Sequence, residues 1–421
     1  MQRVLLFVLT LFALYASAVA QSLALPDLSP PPPPPADKTE PLTTLPNKVK
    51  LPNPVIVAEK NPVPHIALLL PIKSTTFGAS ANAVQQGFMA AASLDAKALS
   101  IRVYSNFDED KNVASAYRQA IANGAVAVVG PLTRNGVATL ATLQDFPVPT
   151  LSLNALDNTF EQNLYFFGLA IEMEARQIAQ IAKQKGLRLA IVISSRAPLS
   201  KRLQAAFEDE WNSLGGKILR EIEYADDPAI FEGFADTPDT AIFLATDADK
   251  ARFIRPYLLI QPEVTDGIPQ PELVENKEPK PIKPTMSKLP IYATSRVFVG
   301  NENTLVNFDL SDIRFIDMPW LLQADHPAVM THPRATPPLS IDNERLYALG
   351  IDAFRLTQLL LANNVTGALP LDGVSGQIQL RNHTFQRTAT PAIFVEGRAQ
   401  LNDAPIIRNL NFPFTPPNIT P

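Results

Sequence analysis

The chain has 421 residues, of which 46% are hydrophobic, so it is long enough to form two or three domains that each bury their own core. The formal net charge of -5 excludes the broad basic surface that nucleic-acid binding requires, and no nucleic-acid partner is predicted. The sequence contains no cysteine, which excludes disulfides, thiolate metal sites, a cysteine nucleophile and a lipid anchor on an N-terminal cysteine.

Residues 1–20 have the pattern of a cleavable signal peptide. Arg3 precedes an apolar run over residues 4–15, and the small residues 18–20 stand before Gln21. The run is too short to span a bilayer and ends in residues suited to a signal peptidase. We therefore expect an exported mature protein, and the alternative is an uncleaved membrane anchor.

Residues 21–64 are rich in proline, leucine, threonine and lysine, and residues 30–35 form an unbroken proline run. Such a stretch adopts an extended polyproline II conformation without internal hydrogen bonds and cannot build a core. The composition predicts a disordered spacer. A binding segment for a proline-recognising partner is the alternative.

Strands and helices alternate in the next part of the chain. Short apolar runs without polar alternation predict strands buried on both faces, at residues 66–71, 100–104, 125–129 and 149–153. Helical spacing predicts intervening helices over residues 81–94 and 113–122. A third helix begins near Arg134, because Thr133 can cap its first turn. This alternation indicates a doubly wound α/β lobe.

A second α/β series follows an aromatic strand at residues 164–169. Its patterns predict strands at 189–194, 218–224 and 241–245, and helices over 172–185, 201–214 and 248–258. Two successive series of this kind indicate an α/β fold with two doubly wound lobes and an interlobe cleft, which is a common place for ligands.

The rest of the chain is more varied. Residues 261–287 contain many prolines and mixed charges, which predicts an exposed excursion. Strands are predicted at 289–293 and 313–322, a long helix over 344–361 and small antiparallel hairpins over 367–399, before a loose C-terminal tail over 401–421. We expect lobe 1 to contain residues 65–168 and 289–322, and lobe 2 to contain residues 169–260 and 340–400.

Polar side chains follow several of the predicted strands. If the sheets are parallel, these side chains lie at the edge where α/β proteins bind ligands, close to helix N-termini that favour anions. We therefore predict a ligand site in the cleft for a small polar or anionic molecule, formed by Ser74, Thr75, Thr76, Thr133, Arg134, Asn154, Thr294 and Arg296. The alternative is that Thr133 and Ser74 are ordinary caps and turns.

A catalytic site is not predicted. The four histidines are far apart in sequence and none pairs with a carboxylate at metal-ligand spacing, so no metal is expected. Phosphate-binding, dinucleotide-binding and nucleophile-elbow motifs are absent from the sequence. We expect no cofactor and no enzyme activity. The alternative is a hydrolase whose carboxylate pair is remote in sequence.

Six segments resemble the LppC-type penicillin-binding protein activators (LpoA-like), over about residues 65–395. They read HIALLLPI, GAVAVVGPLTRNGVATLA, PTLSLN, LYFFGLAIEMEARQIA, DMPWLL and ERLYALGIDAFRL. The resemblance implies a type I periplasmic-binding-protein-like fold in the periplasm. It also implies a non-catalytic role, in which the protein binds a bifunctional penicillin-binding protein and stimulates its transpeptidase activity in peptidoglycan synthesis.

Two functions from different classes are therefore compared. The first is a regulator that acts through its surface on a peptidoglycan synthase. The alternative is a solute-binding protein that delivers an amino acid or a similar small polar ligand to a transporter, which rests on fold analogy and on the hydroxyl groups at the strand ends.

Overall fold

The computed structural model describes residues 61–105, 109–143, 145–156, 161–225, 237–259, 289–301 and 304–402. All of them belong to one compact unit, Pro52–Pro421, whereas the unit Met1–Leu51 lies outside the described residues. The predicted signal peptide, most of the spacer, the excursion over 261–287 and nearly all of the tail also lie outside them. None of the described helices is both long and apolar enough to cross a bilayer.

The strands form two sheets. In chain order they are β1 (His65–Leu70), β2 (Ser100–Ser105), β3 (Ala125–Val129), β4 (Thr150–Ser152), β5 (Leu164–Phe167), β6 (Leu189–Ser194), β7 (Lys217–Glu223), β8 (Thr240–Ala245), β9 (Ile291–Ala293), β10 (Ile313–Asp317), β11 (Leu371–Asp372), β12 (Gln377–Arg381), β13 (Thr384–Thr388), β14 (Thr390–Val395) and β15 (Arg398–Leu401).

Helices cover both sheets. They are α1 (Gly78–Ala92), α2 (Glu109–Ala122), α3 (Arg134–Leu140), α4 (Ile171–Gln184), α5 (Pro198–Ser213), α6 (Ala248–Leu259), α7 (Thr304–Asn307), α8 (Pro319–Leu322), α9 (Pro327–Thr331), α10 (Ile341–Leu361) and α11 (Val365–Ala368), and 3-10 turns occur at Ser295–Val297 and Phe308–Leu310.

Lobe 1 is built on an eight-stranded sheet with the order β11-β12-β13-β5-β4-β3-β1-β2. Strands β1 to β5 are mutually parallel where they pair, and every residue of β1 is buried, as an apolar run covered on both faces requires. Lobe 2 is built on a seven-stranded sheet with the order β15-β14-β10-β9-β8-β6-β7. The predicted two-lobed α/β fold is confirmed.

The predicted assignment of the late segments to the lobes is wrong. Strand β9 pairs in parallel with β8, and β10 pairs with β9, so residues 289–317 extend the sheet of lobe 2. Helix α10 packs on α1, and β13 pairs in parallel with β5, so residues 341–388 complete lobe 1. Only β14 and β15 return to lobe 2. Each sheet has an edge strand to which a strand from later in the sequence can pair. The hydrophobic pattern of the later strand does not determine which of the two sheets it joins.

The predicted strand over residues 313–322 is too long. It ends at Asp317, whose carboxylate accepts a hydrogen bond from the Met318 N–H at 2.8 Å. Pro319 then occupies the first turn of α8, where its missing N–H is not needed. Trp320 on this short helix is buried in the core of lobe 1, so the chain crosses between the lobes at Met318.

Helices α1 and α10 meet through two glycines. A Cβ atom on Gly350 would lie 2.1 Å from the Val84 carbonyl oxygen, and one on Gly87 would lie 1.9 Å from the Tyr347 carbonyl oxygen. The backbones therefore touch, and the rings of Phe88 and Phe354 pack edge to face beside the contact, with centroids 5.3 Å apart. This close approach anchors α10 in lobe 1.

We predict that Gly350→Ala lowers the free energy of unfolding by about 3 kcal/mol, because the new methyl group forces the helices apart. Chemical denaturation followed by circular dichroism measures the change. Gln86→Ala, at an exposed position of α1, is the control and is expected to change the free energy by less than about 0.5 kcal/mol. Equal effects of the two substitutions would contradict the close contact.

Candidate functional site

The turn after β3 forms the first part of the candidate site. Gly130 has φ +105°, and a Cβ there would lie 2.1 Å from the Leu69 carbonyl oxygen, so only glycine fits between the strands. Thr133 is the N-cap of α3, and its hydroxyl accepts a hydrogen bond from the Gly136 N–H at 3.0 Å, as the sequence predicts.

A cavity of about 410 Å³ lies at this carboxyl edge of the lobe 1 sheet. One part of its wall is polar and contains Ser80, Thr133, Arg134, Asn135 and Asn154. The other part is apolar and contains Phe77, Leu132, Leu153, Leu169, Leu346 and Leu349. The lining therefore suits a small molecule that carries both a polar or anionic group and an apolar portion.

Asn154 shapes the polar wall. Its side-chain amide donates a hydrogen bond to the Leu132 carbonyl at 3.2 Å, and its carbonyl oxygen accepts one from the Ala155 N–H at 3.0 Å. The chain crosses to lobe 2 close by, where a Cβ on Gly168 would lie 3.1 Å from the Cα of Asn154. Asn154 thus joins the turns after β3 and β4 beside the crossing.

Three of the eight predicted site residues, Thr133, Arg134 and Asn154, line this cavity. Ser74 does not line it, and its hydroxyl accepts hydrogen bonds from the backbone N–H groups of Thr76 and Phe77 at 3.3 and 3.2 Å. Thr75 and Thr76 are exposed in the same turn. The neighbouring residue that does line the cavity is Phe77. It was not among the predicted site residues, because only the polar residues of this loop were considered as ligand contacts.

Thr294 and Arg296 lie at the carboxyl end of β9 in lobe 2 and do not line the cavity. Thr294 is fully buried. Arg296 donates a hydrogen bond to Asp342 at 3.4 Å, at the start of α10. Because β9 belongs to lobe 2, these two residues are placed beside the crossings between the lobes instead.

A buried polar cluster, which we call the crossing clamp, links the lobes at this place. It consists of Glu174, Gln177, Asp317, Arg345 and Arg387. Arg387 on β13 in lobe 1 forms an ion pair with Glu174 on α4 in lobe 2, and the other oxygen of Glu174 accepts the Ser295 N–H at 3.0 Å. Both side chains of this ion pair are more than nine-tenths buried.

Gln177 fixes the crossing between β13 and β14. Its amide nitrogen donates to the Ala389 carbonyl at 2.8 Å, and its amide oxygen accepts the Ala389 N–H at 3.0 Å. One side chain therefore satisfies both backbone groups of the residue that joins the two sheets, and it holds the peptide units on either side of Ala389 in place.

Arg345 on α10 forms the second bridge. Its guanidinium donates to Asp317 at 2.6 Å and to the backbone carbonyls of Ser295 and Phe298 at 3.0 and 2.9 Å, and all three partners belong to lobe 2. Burial raises the pKa of the Asp317 carboxyl, and Arg345 opposes that change. Burial acts to lower the pKa of Arg345, but the carboxylates of Asp317, Glu174 and Asp342 together outweigh it and the pKa is raised. The guanidinium therefore stays charged in the bridge.

A second cavity, of about 370 Å³, lies near the amino ends of β3 and β4 and is lined by Tyr117, Arg118, Ile121, Leu143, Asp145 and Pro147, among others. It is on the edge of lobe 1 away from the crossing after β5, because β3 and β4 are parallel to β5. Within the described ranges, no group of three or more histidine, aspartate or glutamate side chains is placed to hold a metal ion.

A family model described as "LppC putative lipoprotein" matches residues 45–397. The penicillin-binding protein activator LpoA of Pantoea ananatis is 26% identical over 355 residues, which cover 77% of this chain and 52% of that protein. The LpoA of Photobacterium profundum is 27% identical over 352 residues, which cover 78% of this chain and 56% of that protein. The chain thus spans about half the length of these curated relatives.

Two solved structures share the fold. A protein of Chromobacterium violaceum, described as a "putative branched-chain amino acid ABC transporter", is 33% identical with a TM-score of 0.63, covering 78% of this chain and 99% of that one. The C-domain of LpoA from Haemophilus influenzae, described as a regulator of PBP1A, is 23% identical with a TM-score of 0.63, covering 80% of this chain and 99% of that one. Both support a periplasmic-binding-protein-like fold.

We predict that Arg387→Met lowers the free energy of unfolding by about 3–5 kcal/mol, because Glu174 is then left as a buried charge without its partner. Adding Glu174→Gln to Arg387→Met is expected to restore a large part of the loss, because the unpaired charge is removed. Urea denaturation followed by tryptophan fluorescence measures the change, since Trp320 lies in the core of lobe 1 and Trp211 in that of lobe 2.

Arg196→Met is the matched control for this prediction. The side chains of Arg196 and its partner Glu223 are 80% and 41% exposed, so losing this ion pair is expected to cost less than about 1 kcal/mol. An Arg387→Met variant that is no less stable than the Arg196→Met variant would show that the clamp does not hold the lobes.

Proposed function

The chain belongs to the LppC family, and on that premise we propose that it is a non-catalytic regulator that binds a bifunctional penicillin-binding protein and stimulates its transpeptidase activity. We place this activity in the periplasm, where peptidoglycan is cross-linked. The observation that carries the proposal is the family match over residues 45–397, which includes both lobes up to the turn before β15.

The relatives support this assignment. The curated proteins whose alignments cover 77–78% of this chain are named penicillin-binding protein activators. The Haemophilus influenzae C-domain is described as a regulator of PBP1A. Their similarity to this chain lies in the two-lobed part, so we assign the proposed contact with the synthase to the surface of these lobes.

The crossing clamp supports a role that depends on a fixed surface. Hinges between domains work by large backbone rotations at a few residues, and here Gln177 holds both backbone groups of one such residue, Ala389. The ion pairs of Glu174 and Asp317 resist rotation at the same place. A regulator that its partner binds as a rigid body needs a surface of constant shape, and fixed crossings between the lobes provide one.

We predict that the mature chain binds a purified bifunctional penicillin-binding protein with a Kd of about 10 µM or tighter and raises the fraction of cross-linked peptides in its product. Binding is measured by surface plasmon resonance, and cross-linking by chromatography of digested peptidoglycan. The same synthase with its transpeptidase site blocked by a β-lactam is the control. Absence of binding at that concentration would overturn the proposal.

A second candidate function is the binding of an amino acid or a similar small solute. It is favoured by the lobe 1 cavity, in which Arg134 and Asn154 can meet a carboxylate while Phe77 and Leu346 contact an apolar side chain. The Chromobacterium violaceum protein, at 33% identity, is the relative whose description fits this candidate.

We predict that, under this second candidate, calorimetric titration with leucine, isoleucine and valine detects binding and that Arg134→Met weakens it by about tenfold, which corresponds to the loss of one charge-assisted hydrogen bond. Arg118→Met is the control, because Arg118 lines the other cavity of the same lobe. Heat signals that are absent for all three amino acids, or that both variants weaken equally, would exclude this site.

A further inference from the structure

One cavity of lobe 1 is used by neither candidate function. It has a volume of about 370 Å³ and lies near the amino ends of β3 and β4, on the edge of the sheet away from the crossing after β5. We call it the amino-edge cavity. One of its walls is the last part of α2, and the other is the loop between α3 and β4. A molecule bound here requires no movement of one lobe against the other.

Contacts within lobe 1 fix the shape of the amino-edge cavity. The hydroxyls of Tyr117 on α2 and Thr150 on β4 are hydrogen-bonded at 3.1 Å. In the loop, Phe146 is buried and its ring packs edge to face on Tyr117, with centroids 5.6 Å apart. The Phe146 carbonyl accepts a hydrogen bond from the side chain of Asn163 at 2.9 Å. The protein itself therefore holds the two walls together, and a ligand that fits them does not have to order them on binding.

The two walls carry charges of opposite sign. Arg118 is half-buried on α2, and Asp145 is exposed on the loop. Within the described ranges, neither side chain forms a hydrogen bond or an ion pair, either with the other or with a third residue. Burial raises the pKa of Tyr117 to about 12, and the Asp145 carboxylate adds to this rise, so its charge acts on the cavity wall. A ligand that spans the cavity can pair with both charges.

The polarity of α2 adds to this arrangement. Ala122 is the last residue of the helix and lines the cavity, and the carbonyl groups at a helix end carry a partial negative charge. Arg118 precedes Ala122 by one turn, which is about 6 Å along the helix axis. The α2 wall is thus positive at Arg118 and negative at Ala122. A ligand with a carboxylate at one end and an ammonium at the other matches this polarity.

The rest of the lining limits the size and chemistry of the ligand. Ile121, Leu143 and Pro147 line the same cavity and can contact an aliphatic side chain. A sphere of 370 Å³ is about 9 Å across, whereas extended chains of two and three residues measure about 7 and 10 Å. A free amino acid carries both charges on one carbon, so it does not reach both ends of the α2 wall. A dipeptide is the peptide whose length fits.

We propose that the amino-edge cavity binds a free dipeptide with an aliphatic side chain, whose carboxylate contacts Arg118 and whose ammonium contacts Asp145 beside the end of α2. Free leucine, isoleucine and valine are not ligands of this cavity, because their two charges are too close together. The dipeptide site is independent of the proposed regulation of a synthase, and it differs from the cavity at the carboxyl edge of the same sheet.

The test is calorimetric titration of the mature chain with leucyl-leucine, for which we expect a Kd of about 100 µM or tighter. Two further probes each lack one charge: leucyl-leucine amide has no carboxylate, and N-acetyl-leucyl-leucine has no ammonium. Arg118→Met is expected to weaken the binding of leucyl-leucine about tenfold and to leave the affinity for the amide unchanged. Asp145→Asn is expected to weaken it about threefold, because water screens this exposed carboxylate, and to leave the affinity for the N-acetyl compound unchanged.

Lys97→Met is the control, because Lys97 is exposed on lobe 1 and lines neither cavity. It is expected to leave all three affinities unchanged. Absence of leucyl-leucine binding at about 1 mM would overturn the proposal, and so would equal affinities for leucyl-leucine and the two probes that lack a charge. Weakening of leucyl-leucine binding by Arg134→Met in place of Arg118→Met would also overturn it, because the dipeptide would then occupy the carboxyl-edge cavity.

Discussion

The buried contacts at the crossings are the constraint on which the arrangement of the two lobes depends. Glu174 and Arg387 are more than nine-tenths buried, so neither charge is tolerated there without the other. A pair of this kind adds little net stability compared with apolar residues of the same size, but it specifies one relative position of the strands that carry it. The crossing clamp thus sets the angle between two lobes whose buried residues form separate clusters.

Lobe 1 also depends on chain segments that arrive late in the sequence. Helix α10 fits against α1 because Gly87 and Gly350 remove the side chains that would separate the two backbones. Once α10 is in place, Arg345 is carried to the crossings, where it meets Asp317 and the carbonyls after β9. The packing of α10 on α1 inside lobe 1 therefore positions the charge of Arg345, which forms the bridge to lobe 2. The arrangement of the two lobes thus depends on helix packing within one of them.

Local features of this fold can be predicted from the sequence because they have local causes. Apolar runs such as residues 125–129 mark strands covered on both faces, and Thr133 caps its helix through atoms three residues away. The assignment of β9 and β13 to their sheets depends on pairing with strands that are distant in sequence. The hydrophobic periodicity of a segment does not predict such pairing. The clamp was missed for the same reason, since Glu174 and Arg387 are 213 residues apart. A polar residue inside an apolar helical pattern, such as Gln177 between Ala175 and Ile178, is the signal that could have indicated it.

The geometry of the cavity and of the clamp distinguishes the two candidate functions. A receptor that reports its ligand to a transporter needs a ligand whose affinity differs between open and closed arrangements of the lobes. The polar wall of the cavity, with Thr133, Arg134 and Asn154, belongs to lobe 1. Two other predicted ligand-site residues, Thr294 and Arg296, follow β9 in lobe 2 and lie beside the clamp instead. A ligand held by one lobe gains little from closure, and the clamp opposes the backbone rotation that closure requires. Two lobes fixed at one angle present a constant surface, and this property favours a protein that acts by contact with a partner over one that acts by opening and closing.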